Sequence, residues 1–186
     1  MILALDISTS ITGYAIIDKT GLIKVYGHVD LRKEKCFIKK VTKAKEKILS
    51  SIEGLDIEAL AIEKNLQAFR RGLSSAQVIN TLARFNGALS YAVASTLNIP
   101  LTNIDVNQAR RSLGFKILRE KVCGLSTKEQ VKQALDSLLA TSNQKIQWGT
   151  RILKSGPRKG LEIHDNGVYD EVDAIVTGLA YLKICD

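Results

Sequence analysis

The order of the predicted secondary-structure elements is the feature that most restricts how this chain of 186 residues can fold. Three short apolar segments come first, at residues 1–8, 12–18 and 21–31, and a tight turn joins the last two. Short apolar runs bounded by turns predict strands, so we expect three antiparallel strands. Helical and strand patterns then alternate, which requires parallel strands joined through helices. The order predicts an α/β fold with a mixed five-stranded sheet flanked by helices.

The remaining elements follow from hydrophobic spacing. Apolar residues at helical intervals predict helices, and short apolar runs predict strands over 57–64 and 99–106. The predicted helices cover residues 35–53, 74–97, 107–113, 127–140 and 170–183. No linker or repeat divides the chain, so we expect one domain over 1–186. Between the last two helices, the polar, basic and glycine-rich segment 141–167 predicts a mobile loop or a small hairpin.

The charge of the chain indicates a polyanionic partner. Lysine and arginine number 27 against 19 acids, which gives a formal net charge of +8 and a pI near 9.4. Basic residues concentrate in three segments, 31–47, 108–121 and 145–159. Any one segment could be an ordinary solvated face, but three of them with a net excess favour nucleic acid.

The composition argues against several other classes of protein. No segment approaches 18 consecutive apolar residues, so we expect no membrane span. Asp6 interrupts the first apolar run and no basic region precedes it, so a secretory signal is not expected. Cys36, Cys123 and Cys185 lie far apart without a histidine cluster, which argues against zinc and disulfides and predicts packed free thiols. Free cysteines without a metal or disulfide pattern fit a reducing cytosol as the expected location.

Four acids stand where strands or helices should end or begin. Asp6 closes the first strand and Glu63 the fourth, while Asp170 and Asp173 open the last helix three residues apart, on one face. If the first and fourth strands are parallel neighbours, Asp6 and Glu63 emerge side by side. Each acid alone also has a plain explanation, as a turn cap, a surface charge or a helix N-cap.

Converging carboxylates predict a metal site. Two unit charges about 4 Å apart repel by about 4 kcal/mol at an effective dielectric constant of about 20, so a cation is needed to hold them together. Sites made of carboxylate oxygens favour Mg²⁺ or Mn²⁺ over zinc. A pair of such ions is the catalyst of many phosphodiester hydrolases, so a basic protein with this site is a candidate nuclease.

Three motifs surround these acids: Asp, a short turn and Thr-Gly-Tyr; Ile-Glu at a strand end; and two acids three residues apart followed by Ala. The residues concerned are Asp6, Thr12, Gly13, Tyr14, Ile62, Glu63, Asp170, Asp173 and Ala174. In these motifs the chain resembles the RuvC family of Holliday-junction resolvases, in the ribonuclease H-like superfamily. The resemblance follows the whole chain in order and implies a ribonuclease H-like fold.

The resemblance also implies roles for residues. The four acids would be catalytic metal ligands for two Mg²⁺ or Mn²⁺ ions, and Lys128, a catalytic lysine in the family, would contact phosphate. Lys128 could equally be an ordinary surface lysine. The further positions expected to contact DNA are Arg110, Arg111, Leu66, Phe69, Arg70 and Arg71. Leu66 stands where the family has an aromatic that stacks on bases, and Phe69 is its possible substitute.

The resemblance implies a homodimer that nicks two strands of like polarity at a four-way junction. The candidate interface is the long helix 74–97, although its apolar stripe could simply be core. The turn at residues 7–10 departs from the family's Pro-Gly-Ser-Arg, and 141–167 is longer than in typical bacterial members. These departures resemble the phage-encoded branch of the family, which accepts a wider range of branched DNA.

Two other functions remain open at the level of sequence. One is a protein that binds branched DNA but has lost catalysis, which the presence of all four acids argues against. The other is an actin-like or sugar-kinase-like ATP-binding domain, since its phosphate loop also follows a strand that ends in Asp. Such proteins need two domains and a glycine-rich adenosine loop, for which 186 residues leave no room, so we expect no nucleotide cofactor.

Overall fold

The structure, a computed structural model, describes residues 1–64 and 76–185. Five strands form the central sheet: β1 (Ile2–Asp6), β2 (Ile11–Ile17), β3 (Ile23–Asp30), β4 (Ala59–Glu63) and β5 (Leu101–Ile104). Their order across the sheet is β3-β2-β1-β4-β5. The first three strands are antiparallel, and β1, β4 and β5 are parallel. The mixed sheet predicted from the order of elements is therefore confirmed.

Helices cover both faces of this sheet. They are α1 (Phe37–Ser51), α2 (Ala76–Leu97), α3 (Val106–Ser112), α4 (Glu120–Cys123), α5 (Thr127–Thr141) and α6 (Val168–Cys185). Apolar residues of α1 and α2 pack on one face, and those of α3, α5 and α6 pack on the other. The result is a three-layer α/β structure. None of the helices in the two described ranges is long and apolar enough to cross a membrane.

The alternation of side chains along the strands separates the two faces. On β1, Leu3 and Leu5 point toward α1 and α2, whereas Ile2 and Ala4 point toward α6. On β4, Leu60 and Ile62 again belong to the first face, and Ala59 and Ala61 to the second. The face under α6 is thus made of smaller residues. The same alternation places Asp6 and Glu63, at the strand ends, on that face.

Small residues also allow α6 to lie unusually close to the sheet. A Cβ atom added to Gly178 would lie 2.7 Å from Cδ1 of Ile17 and 2.9 Å from Cβ of Ala4. A Cβ added to Gly13, on β2, would lie 2.0 Å from the backbone oxygen of Asp170. Because these separations are far below van der Waals contact, glycine is required at both positions for α6 to pack as it does.

The segment 141–167 contains a hairpin, the second of the two predicted alternatives. Its strands β6 (Thr150–Ile152) and β7 (Glu162–His164) pair antiparallel, apart from the main sheet. Trp148 fixes its base, since its Nε1 donates a 2.8 Å hydrogen bond to Asp136 on α5 and its ring meets Tyr26 edge to face. Helix α4 was not predicted. We call residues 149–165 the basic hairpin.

Three expectations about burial are wrong. Ile38 on α1 and Val78 on α2 belong to the predicted apolar stripes, yet they are 67% and 56% exposed. The cysteines are free as expected, but Cys36 and Cys185 are exposed rather than packed. The buried residues of α1 are Ala44 and Ile48, of which Ile48 belongs to the predicted stripe and Ala44 does not.

Candidate active site

Asp6 and Glu63 stand side by side at the carboxyl ends of two parallel strands. Leu5 pairs with Ile62 in the register of β1 and β4, so the next residue of each strand is one of the two acids. Both side chains lie on the face of the sheet that α6 covers. Adjacent parallel strands hold these positions within one strand spacing, about 4.8 Å. The predicted pairing of the two acids is therefore present.

The start of α6 brings the other two acids to the same edge. Asp6 pairs with Gly13 in the register of β1 and β2, and the backbone of Asp170 rests on Gly13. Asp173 lies one turn further along the helix, on the same side. Since α6 begins at Val168, Asp170 lies within the first turn and is not the N-cap of the helix.

The four carboxyl groups affect each other electrostatically. Burial raises the pKa of Asp6 well above its usual value, and the charges of Glu63, Asp173 and Asp170 raise it further. Burial, with the charge of Asp173, raises the pKa of Glu63 to about 8. Burial likewise raises the pKa of Asp173 to about 6, and it raises the pKa of Asp170. We call these four acids, which the strand register and the start of α6 bring to one edge of the sheet, the carboxylate cluster.

Two basic residues lower the pKa values of the carboxylate cluster. The charge of Lys128 lowers the pKa of all four acids, and that of Arg110 lowers the pKa of Glu63 and Asp173. Asp105 caps α3, accepting hydrogen bonds from the backbone of Asn107 and Gln108, and so fixes the helix that carries Arg110. Ser126 caps α5 by accepting a hydrogen bond from the backbone of Glu129, and so fixes the first turn of the helix, which carries Lys128.

Not every predicted DNA contact can be placed. Arg111 is exposed on α3, beside Arg110 but about 100° around the helix from it. The predicted contacts that lie outside the described residues are Leu66, Phe69, Arg70 and Arg71.

Solved structures with this architecture include two of Thermus thermophilus RuvC. The one in complex with a Holliday junction substrate aligns over 99% of this chain and 94% of its own, with a TM-score of 0.64 and 16% sequence identity. The other aligns over 99% and 96%, with a TM-score of 0.58 and 18% identity. The chain has the RuvC fold. The resemblance seen in the motifs is confirmed at the level of fold.

A further likeness, to the yeast mitochondrial Holliday junction resolvase, covers 98% of this chain and 78% of that one, with a TM-score of 0.48 and 10% identity. No protein-family model and no curated protein sequence matches the chain.

The turn that follows β1 lacks the family's usual sequence and is held instead by hydrogen bonds of Ser8 and Thr12. The Oγ of Ser8 accepts hydrogen bonds from the backbone of Ser10 and Ile11 and donates one to the Ile11 carbonyl. Thr12 donates from its hydroxyl to the Ser8 carbonyl. Among the described residues, the side chain of Asp6 makes no hydrogen bond to this turn. Ser8 therefore closes the turn, and the interpretation of Asp6 as a turn cap is wrong.

Sequence reasoning missed the residues that fix the start of α6. His28 Nδ1 lies 2.7 Å from Oε1 of Glu171, the residue that follows Asp170. Gly167 has a positive φ of 99°, and a Cβ there would lie 2.4 Å from the His28 ring. Together they hold the helix start against β3. A glycine just before the acidic pair was the only visible signal of this arrangement.

The donor set of the cluster suits a hard divalent cation. All four groups are carboxylates, and all are at least partly shielded from water. Oxygen ligands of this kind are what Mg²⁺ and Mn²⁺ prefer. Within residues 1–64 and 76–185, however, no group of three or more His, Cys, Asp or Glu side chains is arranged so that it could hold a metal ion. The type of donor therefore fits Mg²⁺ or Mn²⁺, although the four carboxylates do not converge on one metal position.

Proposed function

We propose that the chain is a metal-dependent endonuclease that cleaves four-way DNA junctions, and other branched DNA, by paired nicks in a homodimer. The observation that carries this proposal is the carboxylate cluster at the edge of the sheet, on a fold shared with RuvC. The net charge of +8 suits a nucleic-acid substrate. A structure-selective nuclease accounts for the acids, the bases and the fold together.

The proposed metal ligands are Asp6, Glu63, Asp170 and Asp173. When bound, two Mg²⁺ or Mn²⁺ ions would supply an activated water and neutralise charge on the leaving oxygen. The acids would bind these ions in the ionised form, which Lys128 and Arg110 favour by lowering the pKa values of the cluster. Lys128 and Arg110 would also bind the oxygens of the scissile phosphate. Burial of the cluster excludes bulk water and strengthens each of these interactions.

The decisive experiment is cleavage of a synthetic four-way junction with Mg²⁺ or Mn²⁺ and with EDTA. We expect cleavage with metal and none in EDTA. Asp6→Asn and Glu63→Gln should each lower the rate by roughly 10³-fold or more, because several kcal/mol of transition-state stabilisation are lost. Both variants should still bind the junction. Equal cleavage in EDTA would contradict the metal mechanism.

Substrate selectivity is tested separately. A linear duplex of the same sequence is the matched control, and flap and fork substrates define the breadth of branched DNA that is accepted. Cleavage of the linear duplex as fast as the junction would refute the structural preference and leave a general nuclease. Junction binding without cleavage under any metal condition would favour the catalytically inactive alternative.

The homodimer is proposed to use the outer side of α2. The core alternative for the apolar stripe is right for Phe85, Leu89 and Val93, which face the sheet. Outside the core, Tyr91 is 74% exposed, and the buried Nδ2 of Asn86 has no hydrogen-bond partner among the described residues. A second copy would cover Tyr91. Sedimentation of the wild type and of Tyr91→Glu tests this, with a dimer expected only for the wild type; a Tyr91→Glu dimer would exclude this surface.

A further inference from the structure

A cavity lies between the basic hairpin and the first turns of α5 and α6. Its volume is about 510 Å³, within the range of about 300–1,000 Å³ typical of pockets that bind small ligands. The residues that line it are Glu129, Thr150, Arg158, Glu162, Ile163, His164 and Tyr169. None of them was singled out by the motifs, and we call this space the hairpin pocket.

The pocket borders the carboxylate cluster directly. Tyr169 immediately precedes Asp170, and Glu129 immediately follows Lys128. The Nζ of Lys128 lies 5.6 Å from the centroid of the Tyr169 ring. A DNA strand with one phosphate at the cluster would have its neighbouring nucleotides within reach of the pocket.

One wall of the pocket is aromatic and held in place. The rings of Tyr169 and His164 meet edge to face with their centroids 6.1 Å apart. The hydroxyl of Tyr169 donates a hydrogen bond to the carboxylate of Glu129. Because both rings are fixed by neighbours, they offer a preformed surface for contact with a planar ligand.

The polar groups of the pocket include both hydrogen-bond donors and hydrogen-bond acceptors. Among the described residues, the guanidinium of Arg158 makes no hydrogen bond or ion pair, and the buried Nδ1 of His164 has no hydrogen-bond partner. Opposite them stand the carboxylates of Glu129 and Glu162, the second of which accepts a hydrogen bond from Thr150. Two carboxylates repel a phosphate, and six polar side chains out of seven do not suit an apolar ligand. Donors and acceptors beside aromatic rings suit a nucleobase, which is neutral, flat and rich in both.

The wall that carries Arg158 is anchored. At the base of the hairpin, Trp148 is tied to Asp136, which also forms a 2.9 Å ion pair with Lys132 on α5. Arg151 donates a 3.0 Å hydrogen bond from its guanidinium to Asn166, just before α6. These contacts attach the hairpin to α5 and to the segment just before α6, so the pocket keeps its place relative to the start of α6.

We propose that the hairpin pocket binds one unstacked nucleobase of the DNA strand whose phosphate lies at the carboxylate cluster, with Arg158 reading its edge. This inference rests on the proposed function and adds a source of sequence preference to it. A base next to a branch point is the least costly to unstack, so branched DNA supplies the ligand most readily. Arg158 is thus a specificity residue, and the chemistry at the phosphate does not require it.

The test uses four-way junctions with 2-aminopurine placed at successive positions around the crossover, bound to the Asp6→Asn protein in Mg²⁺. We expect the fluorescence to rise at one position, because unstacking relieves quenching. Arg158→Ala in the same background should abolish the rise. Lys154→Ala is the matched control, since it removes an equal charge from the same hairpin outside the pocket; it should weaken binding slightly and keep the rise.

A second measurement uses the cleavage-competent protein on junctions that differ only in the base at that position. The wild type should prefer one base by about 5-fold or more, the discrimination expected of one arginine contact. Arg158→Ala should cleave all four alike, and Arg158→Lys should restore part of the preference.

The possible results separate the pocket from the nuclease proposal. No fluorescence rise at any position, or equal and sequence-independent losses in Arg158→Ala and Lys154→Ala, would overturn the pocket while leaving the nuclease standing. A rise without cleavage by the wild type would support the pocket and overturn the nuclease. Failure to bind branched DNA at all would overturn both.

Discussion

The two faces of the sheet are built from different residues. The face toward α1 and α2 presents large side chains such as Leu3 and Leu60, which pack with Phe85 of α2, and all three are fully buried. The face toward α6 presents Ala4, Ala61 and other small residues on the same strands. Large side chains bury more apolar area and so contribute more to stability. Small ones let a helix backbone approach the sheet, which is what brings Asp170 near Asp6. One face therefore mainly stabilises the fold, and the other mainly positions the site.

The largest change in stability is expected on the face of large residues. Phe85→Ala should lower the free energy of unfolding by about 3–5 kcal/mol, because a fully buried ring is replaced by a cavity. Junction cleavage per folded molecule should stay near that of the wild type. Denaturant unfolding and cleavage below the melting temperature measure the two effects. A loss of cleavage in fully folded Phe85→Ala would contradict the inference that one face of the sheet stabilises the fold while the other positions the site.

Gly13→Ala should affect the site most. The new Cβ would lie 2.0 Å from the Asp170 backbone oxygen, so the start of α6 must move away. A displacement of about 1 Å at a catalytic group can cost about 10²-fold in rate, and we expect a loss of cleavage of at least that size. The matched control is Gly87→Ala, on α2, where nothing lies within 4 Å of the new Cβ. Cleavage by a folded Gly13→Ala protein at the wild-type rate would show that the close approach is not needed.

The pH dependence of stability should originate on the α6 face. The pKa of Glu63 is raised to about 8 and that of Asp173 to about 6, so the folded protein binds more protons than the unfolded chain above the ordinary carboxyl range. Its stability without metal is therefore highest at the acidic end and falls as pH rises toward 8.

Thermal melting in EDTA across this range measures the effect. We expect the melting temperature to fall from pH 5 to pH 8, Glu63→Gln to flatten the fall, and Mg²⁺ to raise the melting temperature most at the basic end. A melting temperature in EDTA that is constant or rises with pH would contradict the raised pKa values.

The smallest effect is expected from Gly87→Ala itself. Replacing an exposed helical glycine by alanine should raise the free energy of unfolding by about 0.5–1 kcal/mol and leave cleavage unchanged. Equilibrium unfolding resolves a change of this size. Destabilisation that depends on protein concentration would show that the proposed second copy packs tightly against α2 at Gly87, one turn before Tyr91.

Much of the fold could be predicted because each element carries its own local pattern. The continuous apolar run of β1 and the helical spacing in α6 are properties of short segments, and the structure places both as expected. Helix α4 was missed because four residues are too few for a helical period to be seen. Ile38 was assigned to the core because apolar spacing alone does not tell which apolar residue of a helix faces the sheet.

The acids of the site could also be predicted from a local pattern, because Asp6 and Glu63 interrupt or end apolar runs. Their nearness could only be inferred from an assumed strand order. Gly13 was visible as part of a motif, but nothing in the sequence says that the backbone of Asp170 rests on it. The hairpin pocket left no signal, because its lining comes from α5, the hairpin and α6, which are far apart in sequence.

The sequence by itself determined the type and order of the elements, the positive charge and the identity of the four acids. These depend on local periodicity and on composition. The tertiary structure decided how close the acids lie, which basic residues oppose them, and that a pocket opens beside them. Such features depend on the register of neighbouring strands and on the distance between α6 and the sheet. Those distances are set by side chains that meet only when the chain has folded.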